Sequence, residues 1–220
     1  MKRPSTFGEK GITLIELLVA LIIFGFAIGA IYRLFIVQTR AYTVHEEVVD
    51  VQQNVRSAME VMLRDLRMTG YDDDATTSVV TIPTPIATPV QASDITVSYE
   101  YQNQRYTVRY WRDAPTLELR RQLTRDATVD PAETLLNNVD TLTFTYGLDA
   151  NGDGNMDDQN GDGVIDNNDW VTAAGVGTSK VIAVRVTLAA RPATDNPDVQ
   201  TRVSPRSLTS AVTLRNLVMK

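Results

Sequence analysis

Residues 11–32 read GITLIELLVALIIFGFAIGAIY, and this stretch decides the architecture. From Leu17 to Tyr32 it carries no charge. With Ile12, Leu14 and Ile15 the apolar run reaches about 21 residues, broken only by Thr13 and Glu16. At about 1.5 Å per residue that length crosses a hydrocarbon layer of about 30 Å, so the segment is expected to be a transmembrane helix. Lys2, Arg3 and Lys10 precede it, and basic residues beside a membrane span stay on the cytoplasmic side. The long C-terminal part is therefore expected on the other face, the periplasm of a Gram-negative cell, with a single pass through the inner membrane.

A secretory signal is cut after its apolar segment, with polar residues following. Here the candidate junction comes first: Gly8-Glu9-Lys10-Gly11 meets Ile12-Thr13-Leu14-Ile15-Glu16-Leu17-Leu18-Val19-Ala20. Over these ten or so residues the chain closely resembles the type IV prepilin family, whose leader ends in Gly and whose mature chain opens on an aromatic or aliphatic residue followed by TLIELLVA. Glu16 is the informative residue, because a carboxylate one turn into an apolar helix costs a few kcal/mol unless it is paired. By position alone it could equally reach back to headgroup water. The resemblance implies that residues 1–11 are a leader removed by prepilin peptidase after Gly11. It further implies that Ile12 becomes a free, methylated N-terminus and that Glu16 pairs with such an amine in a neighbouring subunit. Two positions depart from the family pattern: Ile12 stands where most members have Phe, and Arg33 where many major pilins have a helix-kinking Pro. The missing Pro points to an unkinked helix and to a minor subunit, and Arg33 marks the expected periplasmic boundary of a 12–33 membrane and assembly helix.

Between Ile36 and Thr69 there is no Pro or Gly, and Val44, Val48, Val51, Val55, Met59, Met62 and Leu66 recur three and four residues apart on one helical face. Glu46, Glu47, Asp50, Gln53, Arg56, Glu60, Arg64 and Arg67 occupy the other, and Gly70 is a plausible stop. The reading is one helix from Ile12 to about Thr69, with 34–70 its continuation outside the membrane. Pro83, Pro85 and Pro89 make 76–91 a connecting loop. Alternating segments follow at 95–101, 105–111, 117–123, 141–146, 181–189 and 208–214, the first two separated by Gln102-Asn103-Gln104 at hairpin spacing. The expected fold is α+β and pilin-like: a long N-terminal membrane-spanning helix packed on an antiparallel β-sheet in a domain covering 71–220. Tyr99, Tyr101, Tyr106, Tyr110 and Trp111 are read as core and cross-strand packing rather than a ligand platform. The order of the later pieces, with Asn137-Asn138-Val139-Asp140, VIAVRVTLAARP at 181–192 and SLTSAVTLRNL at 207–217, resembles PilW-type minor pilins and the related J-type pseudopilins of type II secretion.

Residues 149–169 form an acidic loop holding seven aspartates and no Lys or Arg. Asp149, Asn151, Asp153, Gly154, Asn155 and Asp157 are followed nine residues later by a second copy: Asp158, Asn160, Asp162, Gly163, Val164, Asp166 and Asp169. This is the D-x-N-x-D-G spacing of calcium loops. Side-chain oxygens come from positions 1, 3 and 5, Gly at 6 permits the turn, and position 7 offers a backbone carbonyl, here of Asn155 or Val164. Asp166 and Asp169 fall at positions 9 and 12 of the second copy, whereas the first copy ends on Asn160. Structural calcium is the expected cofactor, and a flexible, merely solvating loop is the bland alternative.

The formal net charge is −6; without the leader it is −8, and −7 of that lies in the acidic loop. An acidic chain with no basic stripe excludes nucleic acid as a partner. With no cysteine there is no disulfide or thiolate chemistry, and the single His45 sits on the helix among carboxylates with no nucleophile set around it, so no enzyme activity is expected. The sequence therefore points to a minor pilin that primes or caps a type IV pilus, with prepilin peptidase and other minor pilins as partners. A J-type pseudopilin and a calcium-dependent tip adhesin are the alternatives.

Overall fold

The computed structural model describes residues 11–73, 80–192 and 203–218. Apart from Gly11, the expected leader lies outside them, as do positions 76–79 of the expected loop. The chain divides into two compact units, Met1–Glu46 and Glu47–Lys220.

Helix α1 runs Leu14–Met68, 55 residues without interruption. It begins two residues later than expected because Thr13 acts as its cap: the Thr13 carbonyl accepts the Leu17 N–H at 3.2 Å and its hydroxyl lies 3.4 Å from the Glu16 N–H. Within the first unit the helix is bare. The side chains of Leu14, Ile15, Leu18, Leu21, Ile22, Phe24, Phe26 and Ile31 are all exposed. At the other end Thr69 N–H turns back to Leu66 O at 3.1 Å, and Gly70, at φ +71°, takes the left-handed conformation that terminates helices.

The second unit holds two antiparallel sheets where the sequence suggested one. In the first, β1 (Asp94–Tyr101), β2 (Gln104–Asp113) and β3 (Glu118–Arg125) run side by side, and β4 (Thr128–Val129) and β5 (Glu133–Leu136) share the far edge of β3. Asn138, at φ +53°, breaks the extended run after β5, so that the next strand leaves this sheet. It becomes β6 (Val139–Asp149) of a second sheet, ordered β7 (Val171–Thr172), β6, β8 (Lys180–Ala190), β9 (Arg206–Thr213). A single-turn helix α2 (Arg215–Val218) closes the described chain. The β1–β2 turn needs only Gln102 and Asn103, both at positive φ, which matches the twist of a two-residue hairpin.

The sheets are tied by backbone bonds from Val139 N–H to Leu117 O and Phe144 N–H to Ala92 O, both 2.7 Å. One hydrophobic cluster fills the unit, taking Val51, Val55, Met59, Met62 and Leu66 from α1, Val97, Val108 and Leu119 from the first sheet, and Phe144, Val184, Val186 and Leu188 from the second. Burying each of those helix side chains stabilises the unit by roughly 1.5–3 kcal/mol, enough to fix this half of α1. Val44 and Val48 fade to half-buried, which marks where the packed stripe starts. Tyr110 is fully buried and Tyr99 stacks on Tyr106 with centroids 5.2 Å apart, as expected of packing aromatics. Tyr101 departs from that expectation: it is 45% exposed, because as the last residue of β1 it stands beside the turn.

Candidate functional site

At the N-terminus, Gly11 and Ile12 precede the helix in open chain, and nothing lies within 4 Å of a side chain added at Gly11. Ile12 is 75% exposed. Glu16 sits in the first turn of α1, where the partial positive charge of the helix N-terminus favours a carboxylate. Its carboxylate makes no hydrogen bond or ion pair among the described residues. Such a group, at the head of a helix whose apolar side chains have no cover within their own unit, is accessible to a cation from another chain.

The acidic loop joins β6 to β7 and folds as two turns with largely matching hydrogen bonds. In the first, Asp149 Oδ1 accepts the N–H groups of Gly152 (2.7 Å) and Asp153 (3.0 Å), and Oδ2 accepts that of Gly154 (3.1 Å). In the second, Asp158 Oδ1 accepts from Gly161 (2.7 Å) and Oδ2 from Gly163 (2.6 Å). The third residues match, Asn151 and Asn160 accepting from Asp153 and Asp162, and so do the fifth, Asp153 and Asp162 accepting from Asn155 and Val164. Gly154 and Gly163 have φ of +82° and +83°, which an L side chain rarely adopts, so the sixth-position glycines are required by the turn itself.

The two turns are anchored differently. Asp149, at the end of β6, is buried, and Asp157 folds back so that its Oδ2 accepts the Ala150 N–H at 2.6 Å. The second turn is closed by Asp169, fully buried, which accepts from Gln159 (2.8 Å) and Asp166 (2.6 Å). Asp166 in turn caps the short 3-10 helix Asn167–Asp169. Arg185 on β8 holds this end against the sheet. Its guanidinium donates to Asn167 Oδ1 (2.9 Å) and Thr145 Oγ1 (3.1 Å) and lies 4.7 Å from the Trp170 ring centre. The N–H of Gly163, donating to Asp158, holds that carboxyl below its ordinary range.

Asp149, Asn151, Asp153, Asn155, Asp157, Asp158, Asn160, Asp162, Val164, Asp166 and Asp169 thus all lie in one loop, but their side chains point mainly at backbone N–H groups. Among the described residues no set of three or more His, Asp or Glu side chains is gathered closely enough to hold a metal ion. The donor types are the oxygens calcium takes, and the glycine at the sixth position of each copy makes the sharp turn such a loop uses.

One polar cluster was not foreseen. Asp65 sits on the buried stripe of α1 between Met62 and Leu66; its Oδ2 accepts the Tyr110 hydroxyl at 2.6 Å and Arg121 Nε at 3.0 Å, and Arg121 Nη1 reaches Glu133 Oε1 at 2.7 Å. Burial, then the Asp65 charge, pushes the Tyr110 phenol up. The sequence signal was a lone Asp interrupting an apolar face. His45 is exposed on α1.

A family profile described as Type IV Pilus-assembly protein W matches residues 101–216, and one described as the prokaryotic N-terminal methylation motif matches residues 7–32. No curated protein matches the chain. Among solved structures a type IV-like pilin from Thermus thermophilus is similar at a TM-score of 0.42 and 13% identity, covering 76% of this chain and 96% of that one.

Proposed function

The chain belongs to the type IV pilus-assembly protein W family, and from that premise we propose that it is a minor pilin which primes or caps a type IV pilus, a structural subunit and not an enzyme. The observation that carries the reading is the pairing of an N-terminal methylation motif over residues 7–32 with a helix whose large apolar side chains are exposed from Leu14 to Phe35. An uncovered apolar surface of that length needs lipid or other helices around it.

In this reading prepilin peptidase cuts after Gly11 and Ile12 becomes the methylated N-terminus. Glu16 offers its carboxylate to the amine of the adjacent subunit, an ion pair made strong by the surrounding hydrocarbon. Before assembly the helix holds the protein in the inner membrane, with the sheet-bearing unit in the periplasm. The acidic loop binds calcium to stiffen its two turns. That part rests on donor spacing and on the matched turn geometry, not on a converged set of ligands.

Crosslinking in living cells followed by identification of the captured proteins tests the assignment. Recovery of pilus minor pilins, lost on Glu16→Ala, is the expected result. Recovery of secretion pseudopilins alone would move the protein to a type II machine, and recovery of no pilin-type protein would sink both.

A further inference from the structure

Exposed sheet edges are templates for pairing, and natural folds guard them with shortness, irregularity, charge, Pro or a covering segment. Of the four sheet edges formed by the described residues, three are guarded. The outer edge of β1 is covered by the chain after α1 and by the Pro85 region, through Gly70 N–H to Ser98 O (2.9 Å), Glu100 N–H to Tyr71 O (2.8 Å), Ser98 N–H to Pro85 O (2.8 Å) and Ala87 N–H to Thr96 O (2.9 Å). The opposite edge of that sheet is split between β4, of two residues, and β5, of four with an irregular register. On the second sheet β7 has two residues.

Strand β9 has none of these protections. It pairs with β8 in an unbroken register from Ala190↔Arg206 to Ala183↔Thr213 and has no neighbour on its other side among the described residues. It spans eight residues, about 26 Å of regular backbone, with no Pro. Its exposed side chains, Ser207, Thr209, Ala211 and Thr213, are small and uncharged, so nothing on them hinders an incoming strand.

Among the described residues the charged side chains of this edge are arginines at its two ends, whereas the acidic loop reaches the sheet face beside it, Gly154, Asn155 and Met156 lining a cleft with Ala211, Val212 and Thr213. Arg206 opens the strand, with a buried Nε that has no hydrogen-bond partner. At the far end Arg67 and Arg215, with Thr213 and Asn216, border a cleft of about 610 Å³, and among the described residues neither arginine makes an ion pair or side-chain hydrogen bond. We propose that β9 is a docking edge for an extended segment of a different pilin-type subunit, carrying acidic residues at both ends, which adds as a further strand to the second sheet. Main-chain bonds supply the pairing, and the arginines select the partner and fix its register.

A second copy of this chain is a poor occupant. Antiparallel self-pairing sets Arg206 of one copy against Arg67 and Arg215 of the other, and parallel pairing sets each arginine against itself, so either arrangement places like charges together.

The proposal rests on the chain being a filament subunit, so the test separates the two. A photoreactive side chain is placed at Thr209 of the full-length protein, in cells that make their own filament machinery, and a second probe is placed at Ile23 in the apolar helix. The expected result is a Thr209 adduct with another prepilin-type protein, mapped by mass spectrometry to an extended acid-flanked segment. Its yield falls about tenfold in the Arg67→Glu/Arg215→Glu double variant, whose thermal unfolding is unchanged, and recovers when the partner's acids are exchanged for lysine. If the double variant melts early, Arg215→Gln alone serves, with a smaller loss expected. Adducts only with lipid, only with a second copy, or insensitive to charge reversal overturn the proposal. Helix adducts without Thr209 adducts overturn it and leave the filament reading standing, whereas absence of both removes the filament reading as well.

Discussion

Asp65 and Glu100 show what single buried carboxyls do in this fold. Asp65 is 4% exposed and fully engaged by Tyr110 and Arg121, so the cluster is stable only while every member is present. Replacing Asp65 by Ala leaves Arg121 half-paired at the helix–sheet contact and should cost about 3 kcal/mol of unfolding free energy, the range for breaking a buried pair. Denaturant unfolding of the detergent-solubilised chain measures this; a loss below 1 kcal/mol would show the cluster to be dispensable. Glu100 is fully buried on β1, where its Oε2 accepts the Asp73 N–H at 3.1 Å and its Oε1 has no partner. Burial first, then the neighbouring Asp73 carboxyl, raises its pKa from the ordinary 4.5. The folded chain therefore holds this proton more tightly than the unfolded one. The associated stability is complete below about pH 4.5 and declines as pH rises through the folded value. Wild-type melting should gain on that of Glu100→Gln in acid and lose the advantage toward neutral pH. A difference that stays flat from pH 4 to 8 would contradict the assignment.

Among the elements, α1 was legible in the residues and its exact end was not derivable from spacing alone. Gly70 stops it because φ +71° is a conformation that L side chains rarely adopt, and because a Cβ there would lie 2.5 Å from Leu217 Cδ2. Gly70→Ala should lower stability by about 1 kcal/mol or more through the strained backbone, with Leu217 rotating aside. Thermal unfolding reads this out, and Gly29→Ala, inside the helix where the added Cβ meets nothing, serves as the control expected to show no loss. Six strands were legible from alternation, their ends shifted by a few residues. The short β4, β5 and β7 were not, since two to four residues carry too little periodicity. The acidic loop was legible as a repeat, because the glycines at its sixth positions are demanded by local backbone geometry.

At the scale of the molecule, calcium is the proposal that most changes how the protein behaves. If the two turns bind it, millimolar calcium should raise the melting temperature of the full chain in detergent and chelator should reverse the shift, since a ligand that binds only the folded state stabilises it. The Asp158→Ala/Asp162→Ala variant should lose the response. Equal melting with and without chelator, together with no heat in calorimetry, would remove calcium from the account. The sequence by itself determined the long apolar N-terminal helix, the N-terminal methylation motif, the carboxylate at Glu16, the β-rich character of the later chain and the doubled acidic turn, because each depends on residues close together along the chain. Only the tertiary structure decided that there are two sheets, that Asp65 meets Tyr110, Arg121 and, through it, Glu133, and that β9 is left as the unguarded edge among the described residues. Those features depend on strand order and on contacts between positions dozens of residues apart, which local hydrophobic pattern does not encode.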